Sequence, residues 1–208
     1  MSGLRKNVTA LGVVLSLGFA LPAQAQLYSE GYQFLQAVED VLDGGDSAEV
    51  TEMLSVPGST IVNARDLTTG RTAMHMAVEA RNGTWVDYLY QQGANVNLAD
   101  NNGVTPLMLA VESLYIDGVV KLIAHGARVD VANNTGETPL IYAVHARNTE
   151  LIRFLLQAGA NPDRTDHSGR SARDYARLRG ANDATVDAIT RYERPASQRA
   201  GATYGPSF

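Results

Sequence analysis

Four histidines, His75, His125, His145 and His167, are the first place to look for acid–base or metal chemistry in this 208-residue chain. No second histidine stands three or four residues from any of them, the spacing that puts two ligands on one helix face. Cysteine is absent, which rules out thiolate metal sites, disulfides, a thiol nucleophile and thiol-borne lipid anchors. The glycine and serine patterns that cradle phosphates or build a nucleophile elbow do not occur. A Ser/His/Asp triad assembles only in space, and nothing in the sequence favours one. The expectation is a chain with no catalytic residue, no metal and no cofactor. A formal charge of −5 and a pI near 5.3 argue against general nucleic-acid binding.

The informative signal is instead a spacing. Gly70, Gly103, Gly136 and Gly169 are each 33 residues apart. So are Gly93, Gly126 and Gly159, and so are Ala77, Ala110, Ala143 and Ala176. Thr72, Thr105, Thr138 and Ser171 keep the same phase. A fixed period of this size implies stacked supersecondary units.

One unit shows what such a stack is made of. Asn133 to Gly136 forms a tight turn, with Asn first and Gly last. Thr138 caps a helix whose first residue is Pro139, where a missing N–H costs nothing. Leu140, Ala143 and Val144 share one face. After a polar break at Arg147-Asn148-Thr149, a second helix runs from Glu150 to Gln157, with Leu151, Ile152, Leu155 and Leu156 as its apolar stripe. Gly159 stops it. One helix pair cannot bury both apolar faces; stacked neighbours can. Alanine at 77, 110, 143 and 176 lets the inner helices approach closely.

Thr105-Pro106-Leu107 and Thr138-Pro139-Leu140 resemble the signature of ankyrin repeats, with Thr72-Ala73-Met74-His75-Met76-Ala77 as a variant. Gly93-Ala94-Asn95-Val96-Asn97, Gly126-Ala127-Arg128-Val129-Asp130 and Gly159-Ala160-Asn161-Pro162-Asp163 resemble the family's exit loop. The resemblance covers 63–180 well and 47–190 more weakly. It implies an all-α, ankyrin-type helix-turn-helix solenoid with short hairpin-like loops, capped at both ends, that binds protein without catalysis. His75 falls where the family's histidine is structural.

The ends depart from the pattern. Tyr28 to Leu42, with Phe34, Leu35, Val38, Val41 and Leu42 inward, and Ser47 to Leu54 read as N-terminal capping helices within 26–62. Repeats with a C-terminal cap then occupy 63–193, and 194–208 reads as a disordered tail. The turn before Gly70 holds one extra residue: Asn63 to Gly70 is seven steps, Asn97 to Gly103 six. Ser171-Ala172-Arg173 puts arginine where the pattern has leucine, as a polar terminal face requires.

Residues 1–25 carry Arg5 and Lys6, an apolar run from Val8 to Leu21, and small residues up to Ala25. This is the order of a secretory signal peptide cut after Ala25. As a helix the run reaches about 21 Å, short of a membrane's ~30 Å core. The expectation is a bacterial periplasmic or secreted protein, monomeric, without a membrane span after cleavage. Asn82-Gly83-Thr84 and Asn133-Asn134-Thr135 match the glycosylation pattern, read here as chance.

In ankyrin-like proteins partners meet the hairpin tips and the inner-helix surface. By phase, that strip holds the tip residues Asn101, Asn102, Asn134, Thr135 and His167. Just after each tip come Arg71, Val104, Glu137 and Arg170, and late on the inner helices Glu79, Glu112 and His145. Val104 stands out as a β-branched apolar residue without a turn reason. Two roles are open for the chain toward its expected protein partner, with an enzyme as a remote third reading. One is a scaffold or accessory for another envelope protein; the other is an immunity or inhibitor protein that occludes a toxin or enzyme.

Overall fold

The computed structural model describes residues 23–195 apart from 57, 179, 181 and 182, with side chains from residue 30 onward. Residues 1–22 of the expected signal peptide and 196–208 of the expected tail lie outside the described residues. Among the described residues every extended regular element is a helix. They are α1 (Ala23–Leu42), α2 (Ala48–Leu54), α3 (Ala73–Glu79), α4 (Gly83–Gln91), α5 (Pro106–Glu112), α6 (Ile116–Ala124), α7 (Pro139–His145), α8 (Thr149–Gln157), α9 (Ala172–Arg177) and α10 (Ala184–Tyr192).

Odd-numbered helices pack in an inner row, α1 on α3 on α5 on α7 on α9, and α4, α6, α8 and α10 form the outer row. Helices α3, α5 and α7 are short because each is bracketed by fixed signals. Thr105 and Thr138 accept the N–H of Met108 and Ile141, both at 3.3 Å, and a proline follows each threonine. These three helices end where Arg81, Leu114 and Arg147 turn into the left-handed region, at φ 51° to 55°. Asn82 and Asn148 then cap the outer helices through Oδ1. Asn82, half of the glycosylation-like pattern, therefore has a local structural use.

The core runs through the whole stack. Ala77, Ala110, Ala143 and Ala176 are fully buried between inner helices, and so are Leu151, Ile152, Leu155 and Leu156 on α8. In the N-terminal unit Phe34, Leu35, Val38 and Val41 are buried, with Leu42 packed at the edge. Helix α1 begins at Ala23, five residues before the expected Tyr28, because nothing from 23 to 27 breaks a helix.

Hydrogen bonds stitch the repeats together along two lines. At the tips, the N–H groups of Asn101, Asn134 and His167 donate to the carbonyls of Thr69, Asn102 and Thr135, at 2.9, 2.9 and 3.0 Å. Asn101 and Asn134 also donate through Nδ2 to the carbonyls of Thr68 and Asn101, both at 2.9 Å. At the exit loops, Oδ1 of Asn63, Asn97 and Asp130 accepts the N–H of Asn95, Arg128 and Asn161, at 2.7 to 2.9 Å. The last exit residue, Asp163, pairs with Arg173 at 2.6 Å, and Arg173 also reaches Glu193. That double pairing explains why arginine replaces leucine at the terminal unit.

Each tip is organised by one side chain that accepts several N–H groups: Asp66, Asp100, Asn133 and Asp166. Burial alone would raise the Asp166 carboxyl. Hydrogen bonds from Tyr175 Oη (2.6 Å), Ser168 and the Arg170 and Ser168 amides outweigh it and hold this group well below the usual carboxylate range. His75 is fully buried, and its Nδ1 accepts the Thr72 N–H (3.2 Å). Its Nε2 must then carry the proton donated to the Val104 carbonyl (3.0 Å). Burial lowers its pKa, keeping the ring neutral.

Two outcomes follow for stability. Leu155→Ala should destabilise by about 2–5 kcal/mol in urea unfolding, because the packed stack leaves a cavity. Asp166→Ala should cost about 1–3 kcal/mol, because it orphans turn N–H groups. Asp166→Asn should cost less, since Asn133 holds the preceding tip. The folded-state pKa of Asp166 is depressed, so its stabilisation is present above the unfolded value near 4. It is lost as pH falls through the folded value. Unfolding curves between pH 5 and pH 2 should therefore be shallower in pH for Asp166→Asn than for wild type.

Candidate protein-binding surface

The turn geometry sets three parallel rows along the stack, each at the 33-residue spacing. The first, just after the tips, is Arg71, Val104, Glu137 and Arg170. The third, at the ends of the inner helices, is Glu79, Glu112 and His145. Between them lie Met76, Leu109, Tyr142 and Tyr175, all half-buried and packed against the core. This middle row was not expected from the sequence. Its signal was present, since the four residues keep the same phase, but Met, Leu and Tyr at helical spacing read as ordinary core.

The rows are bound to one another and to the tips. Arg71 spans from the first row to Glu79 in the third, with Nη1–Oε2 at 2.8 Å. Tyr142 Oη accepts from Asn133 Nδ2 (3.1 Å), and Tyr175 Oη donates to Asp166 Oδ2. Both rings are thereby fixed beside the tips. His145 packs on the Tyr175 ring at 4.5 Å between centroids. Glu137 accepts the Thr135 hydroxyl (2.9 Å). Burial, with the charges of Glu137 and Glu112 beside it, raises the Tyr142 hydroxyl above its ordinary pKa.

Not every expected strip residue is available in the same way. Asn101 and Asn134 are exposed, yet their side-chain amides are the stitches between tips. Asn102 and Thr135 lend their carbonyls to the next tip. His167 is exposed at the last tip, and its N–H makes the final stitch. Val104 donates its N–H to Asp100 Oδ1 and accepts the Asp100 N–H at its carbonyl, which also receives His75. Glu112 and Arg170 are exposed at the surface of the strip.

The outer row carries a separate cluster. Asp87 on α4 accepts Lys121 Nζ (2.5 Å) and pairs with His125 Nε2 (2.7 Å), both from the α6 side. His125 stacks on Tyr90 at 4.0 Å. Hydrogen bonds from Lys121 and then His125 hold the Asp87 carboxyl below its usual range, and Asp87 raises Lys121. This is an inter-repeat clasp. Among the described residues no three His, Asp or Glu side chains converge as a metal set, and no helix is long and apolar enough to cross a membrane. A strip of half-buried apolar and aromatic side chains between polar rows offers contact area and directional hydrogen bonds, which is the chemistry of protein recognition.

Comparison with known proteins agrees. A stretch of 62 residues is 45% identical to an ankyrin repeat protein of fowlpox virus (strain NVSL), covering 30% of this chain and 18% of that protein. A stretch of 63 residues is 41% identical to an ankyrin repeat protein of Acanthamoeba polyphaga mimivirus, covering 30% of this chain and 8% of that one. The chain thus spans less than a fifth of these relatives' lengths. The family model of ankyrin repeats in three copies matches residues 34–133 and 116–188. Together those matches take in most of the helical stack, and the chain belongs to the ankyrin repeat family.

Proposed function

We propose that this chain is an exported protein-interaction module that holds another protein of the cell envelope as a scaffold or accessory, through the strip between its tips and inner helices. Ankyrin repeats are protein-interaction units, and the observation that carries the strip is its middle row. Met76, Leu109, Tyr142 and Tyr175 repeat at one spacing, and the two tyrosines are pinned to the tips by hydrogen bonds. A surface held in place before binding loses little conformational entropy when a partner arrives. Glu112 and Arg170 flank the row from opposite sides and set the polar complement a partner must match. Export rests on the charged, apolar and small-residue order of 1–25.

A photo-reactive benzoylphenylalanine at position 112, irradiated in intact cells, should give a discrete covalent adduct identifiable by mass spectrometry. The same group at Val120, exposed on the outer helix α6, should not. Glu112→Arg combined with Arg170→Glu should reduce the adduct formed from position 109 at least tenfold while leaving the helical circular dichroism intact. Recovery of adduct only from position 120 would move the interface off the strip. Inactivation of the captured protein would indicate an inhibitor. The purified chain should begin at Gln26 on amino-terminal sequencing.

A further inference from the structure

We propose that a groove at the N-terminal end of the stack is a second docking site, distinct from the strip, for an apolar segment of a protein partner that also carries lysine or arginine. The groove lies between α1, the irregular segment that follows α2, and the first hairpin tip. Its volume is about 910 Å³, and its apolar walls include Tyr32, Leu35, Val56, Ile61 and Leu67. Close packing of α1 on residue 64 forms its base: a Cβ at Gly31 would stand 3.2 Å from the Ala64 Cβ. Tyr32, Val56 and Leu67 are 59%, 57% and 71% exposed. One exposed apolar residue is ordinary; three around one groove mark a contact surface.

Leu67 is the extra residue of the first turn. In the other tips three residues separate the organising side chain from the post-tip residue: 101–103, 134–136 and 167–169. Between Asp66 and Arg71 there are four, 67–70, although Asp66 and Arg71 make the same N–H to carbonyl bond (2.8 Å) as Asp100 and Val104. The insertion keeps that closing bond, reroutes the Arg71 N–H to Thr69 Oγ1 (3.3 Å) and displays a leucine to solvent. Turn chemistry favours polar residues or glycine there.

Charge identifies the occupant. Residues 26–70 hold eight acids and one arginine, whereas 71–208 hold fourteen of each sign. The net negative charge that follows residue 25 is therefore concentrated in the unit that builds the groove. Glu30 lies at the groove wall, and Arg65, the one cation of this unit, also lines it and reaches toward Gly70 at the tip. An acidic apolar segment is repelled and a basic one is drawn in.

The test uses the purified protein and three fluorescein-labelled twelve-residue peptides, built from Leu/Lys, Leu/Glu and Ser/Lys. Anisotropy titration should show saturable binding of the Leu/Lys peptide, with the other two at least tenfold weaker. Leu67→Ser and, separately, Val56→Asp should weaken Leu/Lys binding at least tenfold with unchanged circular dichroism. Val120→Ser, and the strip variant Glu112→Arg with Arg170→Glu, should leave it unaltered, which separates this site from the proposed strip. Equal affinity for Ser/Lys, or binding insensitive to both groove substitutions, would overturn the proposal. So would a concentration-dependent dimer in sedimentation that Leu67→Ser abolishes, because the occupant would then be a second copy.

Discussion

A main-chain N–H at each hairpin tip after the first reaches back 32 residues to a carbonyl of the preceding tip, and the rest of the molecule is arranged around that bond. It fixes the separation of neighbouring units in the direction along the stack. The inner helices must then meet at a matching distance, which alanine at 77, 110, 143 and 176 permits. A larger side chain there would push the helices apart and stretch the tip bonds at the same time. Packing and hydrogen bonding thus enforce one geometry from opposite sides of each unit. The exit-loop bonds from Asn63, Asn97 and Asp130 add a second line parallel to the first. With two lines of attachment and a packed interface between them, neighbouring units are restrained against twisting. That restraint keeps residues 33 apart at equivalent places in successive units.

The terminal units answer the same constraint differently. At the C-terminal end Arg173 pairs with Asp163, the last exit-loop residue, and takes Glu193 as its second partner. A charged network here closes the stack with groups that tolerate water. At the N-terminal end α1 packs on α3 with α2 against α1, and the first tip is longer by one residue. Ion pairs thus finish one end, while the other displays Tyr32, Val56 and Leu67 around one groove.

Much of this was legible from residue types, because local rules decide it. Thr-Pro at helix starts, glycine after helix ends and the stripe of Leu151, Ile152, Leu155 and Leu156 each follow from one turn of backbone. The 33-residue phase extended those local readings to the whole stack. What could not be read depends on residues that meet across units. Asn101 and Asn134 look like turn asparagines or partner contacts, and only the position of the preceding tip shows that they are stitches. Asp87, Lys121 and His125 are 34 and 38 residues apart on adjacent outer helices, and no single-helix periodicity signals such a meeting. Tyr142 and Tyr175 were hidden for another reason. A tyrosine at a helical core position shows its exposed edge only once its hydroxyl's partner is known.

The outer clasp has a consequence for covalent chemistry at this protein's surface. Lys121 is the one lysine after residue 25, and every other cation there is arginine. Its ammonium is held against Asp87, which raises its pKa and thins the population of free amine. Acylating reagents attack the neutral amine, so among its side chains the body of this chain presents them with a single, subdued target. That target lies on the outer row, away from the tips and the inner helices. Amine-reactive labels will therefore under-report whatever touches the tips and inner helices, whereas reagents for carboxylates or tyrosines will meet reactive groups there.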